Sequence, residues 1–156
     1  MDFRIWVGVS LGLLLPSLVF GQTVETRALT LEGAKTVAQG AAAEAGANGW
    51  EVVIAIVDAG GHLLYLERMD GVSHGIVDIA VGKAKTSAAF GSSTDVFAEM
   101  VAQGGVGLLA VPGALPIEGG VPLTVDDEVI GAIGVSGVTG AQDGIIARAG
   151  AAALSR

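Results

Sequence analysis

The segment "WEVVIAIVDAGGHLLYLERM", residues 50–69, decides the fold class. Its first half is apolar and β-branched at successive positions, which is typical of a strand covered on both faces. The sequence Ala59-Gly60-Gly61 then supplies a turn. Residues 62–69 return as a second strand whose alternate side chains point to opposite faces. The segment therefore predicts an antiparallel β-hairpin with a buried central strand.

Helical patterns flank this hairpin on both sides. Apolar residues recur every three to four positions in each pattern, and a residue that can cap a helix stands at each start. The last pattern opens with a Thr-x-x-Gln capping box. The predicted helices cover 30–45, 73–90, 94–104 and 139–154, and their caps are Thr30, Ser73, either Ser93 or Thr94, and Thr139.

The segment between the third and fourth helices, residues 106–136, is rich in glycine and proline. It predicts two or three short strands, the last of them buried at 128–136. Adjacent strands separated by helices favour an antiparallel sheet with helices packed on it. We therefore expect an α/β protein of the α+β type, because a doubly wound sheet would need strict alternation of strand and helix.

The first 21 residues have the pattern of a secretory signal peptide. Arg4 precedes an apolar run over 5–20, and a small-residue cleavage pattern ends at Gly21. The run is short for a membrane-spanning helix, and an uncleaved anchor is the alternative. We expect a secreted or periplasmic protein with one mature domain over 22–156 and no stable membrane insertion after signal cleavage.

The composition excludes one class of partner. The formal net charge is −8 and there is no basic run, so the chain is a poor binder of nucleic acid. Cysteine is absent, so disulfides make no contribution. The apolar residues are mostly small and bury little area each, which favours further burial between subunits.

Arg68, Lys83 and Lys85 are the only basic residues between Lys35 and Arg148. They lie on the second strand and the helix after it, and they predict a local anion-binding patch. Apolar neighbours place Lys83 at a pocket rim or subunit interface, with its stem buried and its ammonium free. The alternative is ordinary surface charge paired with nearby carboxylates, which contributes little to stability.

The two histidines, His62 and His74, share no metal-ligand spacing with each other or with a carboxylate, so we predict no protein-only metal site. An axial haem ligand needs only one donor beside an apolar slot, with cations for the propionates. The alternative is two solvated or hydrogen-bonded histidines. The candidate donors are His74, Met69 and His62, and the candidate cations are Arg68, Lys83 and Lys85.

The segment "LPIEGGVPL", residues 115–123, sets two glycines between two prolines. The backbone N–H groups of Gly119 and Gly120 in such a loop can cradle an anion or a carboxylate. Together with Lys83 they predict a small organic-acid site, and the alternative is a plain hairpin turn. We assign no catalytic residue, because no general base can be identified for a nucleophilic serine.

Three segments, in chain order, carry a family resemblance. They are "VVIAIVDAGGHLLYLERMDGV", "DIAVGKAKTSAAFGSST" and "LPIEGGVPLTVDDEVIGAIGVSGVTGAQDGIIARAG". Over about residues 28–154 the chain resembles the GlcG/HbpS-like family of haem-degrading or haem-binding proteins, and it is similar to the C-terminal domain of PduO-type cobalamin adenosyltransferases. The resemblance implies a profilin-like fold with a five-stranded antiparallel sheet, and a homo-oligomer that is often an octamer.

The resemblance also implies a ligand. Haem is the expected cofactor, with Thr94 as a contact of the iron, and a corrinoid or no cofactor is the alternative. The function we expect is exported haem (tetrapyrrole) binding with weak haem-degrading or iron-binding activity. Two alternatives stay open: a small organic-acid binder or accessory enzyme of glycolate- or diol-type metabolism, and an oligomeric assembly module without turnover.

Overall fold

The computed structural model describes residues 24–154, so the predicted signal peptide at 1–21 lies outside the described residues. The helices α1 to α4 and strands β1 to β4 follow one another with one 3₁₀ helix between α3 and β3. In chain order the elements are α1 Leu31–Asn48, β1 Val53–Asp58, β2 Leu63–Arg68, α2 Ile76–Phe90, α3 Thr94–Ala102, the 3₁₀ helix Val106–Ala110, β3 Gly120–Val125, β4 Glu128–Ser136 and α4 Gly140–Ala153.

The strands form one antiparallel sheet in the order β2-β1-β4-β3. The predicted hairpin of β1 and β2 is confirmed, as is the strand at 128–136. The expected fifth strand is wrong for the described part of the chain, which contains four. Residues 106–119 form a 3₁₀ helix and turns instead. Pro112 and Pro116 lie in this segment and have no N–H to donate to a sheet ladder.

Strand β1 is buried on both faces, as its sequence predicts. Ile54 and Ile56 join the core formed with α1 and α4. Val53, Ala55 and Val57 point to the opposite face, where α2 packs. The molecule therefore has three layers, with the sheet between two layers of helix.

The close approach of α2 to the sheet depends on a glycine in β4. A Cβ at Gly134 would collide with the backbone of α2 at Ala80 and Ala84. Small residues on both sides let the helix backbone lie directly on the strand, so the position accepts no larger side chain without moving the helix.

The ends of the helices follow the predicted caps in part. Thr30 accepts a hydrogen bond from the N–H of Gly33 at 3.1 Å, and Thr139 and Gln142 form the predicted capping box. Ser73 does not cap α2, because the helix begins at Ile76 with no side-chain cap.

The turn between β3 and β4 consists of Asp126 and Asp127, both with positive φ, of 49° and 63°. Consecutive residues of this kind make a tight hairpin turn. Arg27 ties the segment before α1 to this turn, since its guanidinium donates to the Asp126 carboxylate at 2.6 Å and its N–H donates to Glu128 at 3.1 Å. Between residues 24 and 154, none of the helices is both long enough and apolar enough to span a bilayer.

Candidate functional site

Three parts of the chain meet at one end of the sheet and line an open cavity of about 360 Å³. They are the turn between β1 and β2, the last turns of α2, and the loop after the 3₁₀ helix. The cavity is lined by Ala59, Gly60, Gly61, His62, Lys85, Ala89, Phe90, Pro112 and Gly113. Small-molecule sites in proteins span roughly 300–1,000 Å³, so the volume is within that range.

The sequence "DAGGH", residues 58–62, shapes one wall. Gly61 has a φ of 79°, which favours glycine and lets the chain reverse tightly. The aliphatic stem of Lys85 lies close to Gly61, since a Cβ added there would be 3.6 Å from Lys85 Cγ. Lys85 and His62 both line this cavity.

His62 is held beside a carboxylate. The backbone N–H of His62 donates to Asp58 Oδ1 at 2.8 Å, and Nδ1 of the His62 ring lies 3.4 Å from the same oxygen. The hydrogen bond from the His62 N–H keeps the pKa of the Asp58 carboxyl below its usual value, so Asp58 is ionised near neutral pH. The Asp58 carboxylate thus lies beside Nδ1 of the His62 ring rather than beside Nε2.

The opposite wall is apolar. It consists of Ala89, Phe90 and Pro112. The ring of Phe90 also packs edge-on against Phe97, with centroids 5.3 Å apart. A histidine and a lysine in one cavity with apolar and aromatic side chains suit a flat, largely apolar ligand that carries negative charge at its edge.

The sequence candidates Arg68, Met69 and His74 lie at the other end of β2. Strands rise about 3.3 Å per residue, so β2 separates them from His62 by roughly 20 Å. Arg68 contacts His74 Nδ1 on the surface, and Met69 packs against the core. The structure thus splits the sequence-derived set: His62 and Lys85 share a cavity, and Arg68, Met69 and His74 do not reach it.

The expectation of a free Lys83 ammonium is wrong. Lys83 is 1% exposed, and its Nζ donates to Asp143 Oδ2 at 2.8 Å and to the Val135 carbonyl at 2.9 Å. Burial raises the pKa of the Asp143 carboxyl, and the adjacent Lys83 opposes that rise. The partner was not evident in sequence, because it lies 60 residues away on the helix that covers the opposite face of the sheet.

The Gly-Gly loop does not present the expected free N–H groups. The N–H of Gly120 donates to Thr94 Oγ1 at 2.8 Å, and Gly120 pairs with Gly134 at the start of β3. Thr94 itself is fully buried and its hydroxyl accepts this hydrogen bond, so it is not exposed to contact haem iron as the resemblance implied. Two of the three donors expected for an organic acid, the Gly120 N–H and the Lys83 ammonium, are therefore bonded within the protein, and Gly119 is buried beside them.

Sequence reasoning missed the roles of Asp58, Phe90 and Pro112. Asp58 is the last residue of the buried strand β1 and stands four residues before His62, a local signal for a carboxylate beside an imidazole. Phe90 and Pro112 are brought together only by the packing of α2 against the loop after the 3₁₀ helix. Within residues 24–154 no group of three or more His, Cys, Asp and Glu side chains is arranged to hold a metal ion.

The chain belongs to the family described as haem degrading protein HbpS-like, whose model matches residues 29–152. This confirms the resemblance seen in the sequence. Protein GlcG of Escherichia coli strain K12 is 44% identical over 93 residues, which are 60% of this chain and 69% of GlcG.

Two solved structures extend the comparison. A double mutant of HbpS from Streptomyces reticuli is 33% identical, with a TM-score of 0.78, and the alignment covers 97% of each chain. A structure described as a PduOC:heme complex is 28% identical, with a TM-score of 0.74, over 81% of this chain and 95% of that one. The relation to PduO-type proteins expected from the sequence is therefore confirmed.

Proposed function

We propose that this protein binds haem in the cavity between the β1–β2 turn and the end of α2. The observation that carries the proposal is that His62 and Lys85 share this cavity with the apolar wall of Phe90 and Pro112, in a chain of the HbpS-like family. Similarity to the PduOC:heme complex supports haem over other flat ligands such as a corrinoid.

The residues present fit a haem group. The free Nε2 of His62 is a ligand of the kind that haem iron takes, and Lys85 can pair with a propionate. Phe90 and Pro112 can contact the ring. The side chain of His62 is 84% exposed, so a single ligand in this position gives a weak, exchangeable site. Haem bound there would supply iron that reacts with peroxide, and slow haem breakdown would follow from that chemistry.

The first prediction concerns hemin titration of the purified protein, followed by its Soret band. His62→Ala should weaken binding by roughly tenfold or more, a loss of at least about 1.4 kcal/mol. Lys85→Ala should weaken binding by up to about fivefold, as expected for a largely exposed ion pair.

The matched control is His74→Ala, which removes the other histidine from a surface about 20 Å away by strand geometry. It should bind hemin as the unchanged protein does. Loss of the Soret shift in His74→Ala, or an unchanged spectrum in His62→Ala, would place the site elsewhere. Stabilisation by a small hydroxy acid but not by hemin would favour organic-acid binding at His62 and Lys85.

We also propose that the protein is exported and forms a homo-oligomer. The signal-like residues 1–21 support export, and the intact mass of protein from the periplasm or medium, measured by mass spectrometry, should correspond to a chain that begins at Gln22. Several apolar side chains of α3 and the 3₁₀ helix support assembly because they are exposed to solvent. We call Val96, Met100, Val106 and Leu109 the α3 surface.

A further inference from the structure

We infer that Asp58 is a positioning residue for the proposed haem site: it holds His62 in its Nδ1–H form and biases the bound iron towards the ferric state. The inference rests on the proposed function for its second half only. The Nδ1–H form of His62 is a property of the protein without haem and is tested on that protein.

The backbone fixes the distance between the two side chains. The N–H of Asp58 donates to the His62 carbonyl at 2.9 Å, while the N–H of His62 donates to the Asp58 carboxylate at 2.8 Å. These two hydrogen bonds close a small loop between the residues. The ring Nδ1 then lies 3.4 Å from Asp58 Oδ1, which is longer than an ordinary hydrogen bond but close enough for the charge of the carboxylate to act on the ring.

Gly60 provides the space for this arrangement. A Cβ at Gly60 would be 3.0 Å from His62 Nδ1, 3.1 Å from His62 Cε1 and 3.3 Å from Asp58 Oδ1. A side chain there would push the ring away from the carboxylate. The glycine thus leaves room for the imidazole to lie against the turn, with Nδ1 towards Asp58.

The chemistry follows from the charge. A carboxylate beside one ring nitrogen of an imidazole favours the tautomer that has its proton on that nitrogen. It also makes the other ring nitrogen a stronger electron donor. A stronger donor favours the more highly charged oxidation state of haem iron and lowers its reduction potential. Asp58 would therefore orient Nε2 and favour ferric haem.

The first test uses nitrogen-15 NMR of the protein without haem, at a pH where His62 is neutral. Nδ1 of His62 should carry the proton. In Asp58→Asn, which keeps an oxygen for the backbone bond but removes the charge, the population should shift towards the Nε2–H form. Gly60→Ala keeps both side chains but separates them, and it should produce the same shift. An Nε2–H form in the unchanged protein overturns the inference.

The second test uses hemin. Loss of such a supporting carboxylate typically weakens metal binding by about 10- to 100-fold, and we expect this range for Asp58→Asn and Gly60→Ala. The reduction potential of the bound haem should shift to more positive values in both variants. Melting temperatures without haem identify a variant that has lost its fold. Asp58→Asn removes the charge and Gly60→Ala separates the two side chains, so if one variant fails to fold the other still tests the contact.

The control is Asp78→Asn, which changes the net charge equally at an exposed position in the first turn of α2. It should leave the tautomer and the potential unchanged. If hemin does not bind at all, the proposed function fails while the tautomer result stands. If hemin binds through His62 and both variants keep the potential, the function stands and the role of Asp58 in setting the potential is overturned.

Discussion

Lys83 and Lys85 are two residues apart on the same helix but have opposite environments. Lys85 lines the cavity, whereas Lys83 is buried in an ion pair with Asp143. The helical pattern placed Lys83 among apolar residues correctly. It did not show that Leu115 packs over Gly82 on the same helix, or that a carboxylate of α4 lies within reach. The spacing of apolar residues in a helix predicts which face of the helix is buried. It does not predict which residues distant in sequence pack against α2.

Removing Lys83 should therefore destabilise the protein. Lys83→Met leaves the Asp143 carboxylate buried without its partner, and breaking a buried ion pair in this way costs about 3–5 kcal/mol. The measurement is the free energy of unfolding in urea.

The double variant Lys83→Met with Asp143→Leu should recover most of that loss, because no unpaired charge remains. Lys85→Met is the matched control and should change the free energy of unfolding by less than about 0.5 kcal/mol, as is usual for exposed positions. Equal stability of Lys83→Met and Lys85→Met would contradict the ion pair.

Among the elements, α1 and β4 were predicted best. The buried residues of α1 recur every three to four positions, as the predicted helical pattern requires, and they are Ala34, Val37, Ala38, Ala41 and Ala45. The helix continues beyond the predicted end at Ala45 to Asn48, because the left-handed residue that ends it is Gly49 rather than Gly46. The buried residues of α1 follow a helical spacing, and β4 is apolar along most of its length and buried there, so each element is recognisable from its own sequence.

The candidate site was less predictable from sequence. The sequence placed His74, Met69 and His62 in one set of candidate donors, whereas the structure places His62 at the opposite end of β2 from the other two. A helix packed along a hairpin has one end near the turn of the hairpin and the other end near the open ends of its strands. Only the direction of α2 over the sheet decides that its end, with Lys85 and Phe90, lies beside His62.

The capping box of α4 provides a test at the level of the element. Thr139 accepts a hydrogen bond from the Gln142 N–H at 3.4 Å, while the Gln142 side chain accepts from the Thr139 N–H at 3.2 Å. Thr139→Ala should lower the free energy of unfolding by about 1 kcal/mol. Thr36→Ala, at an exposed position inside α1, is the control and should change it by less than about 0.5 kcal/mol. Equal losses in both variants would mean that the cap contributes no more than a surface threonine.

At the scale of the whole molecule, the α3 surface is the exposed apolar feature that favours assembly. Val96 and Met100 are one helical turn apart and so lie on the same face of α3. Isolated exposed apolar residues are common, but a contiguous group of them on a soluble protein usually marks a contact surface.

Light scattering should therefore give a mass that is a multiple of the chain mass. Val96→Glu combined with Met100→Glu should lower that mass, because charges in an apolar interface lose their hydration. Ile145→Glu, at an exposed position on α4, is the control and should keep the assembly. A monomeric mass for the unchanged protein would show that the α3 surface does not mediate assembly.

The anchoring of Arg27 has a practical consequence. Arg27 holds the turn that precedes β4. The start of β4 lies at the same end of the sheet as the cavity, because Val129 of β4 lies against Gly91, directly after α2. Thr26, next to Arg27, therefore lies at this end as well. The chain has no cysteine, so Thr26→Cys would accept a single fluorescent dye. Haem absorbs across the visible range, and energy transfer would quench a dye at this position. The anchored segment thus offers an optical sensor of cavity occupancy that works at dye concentrations too low for absorbance.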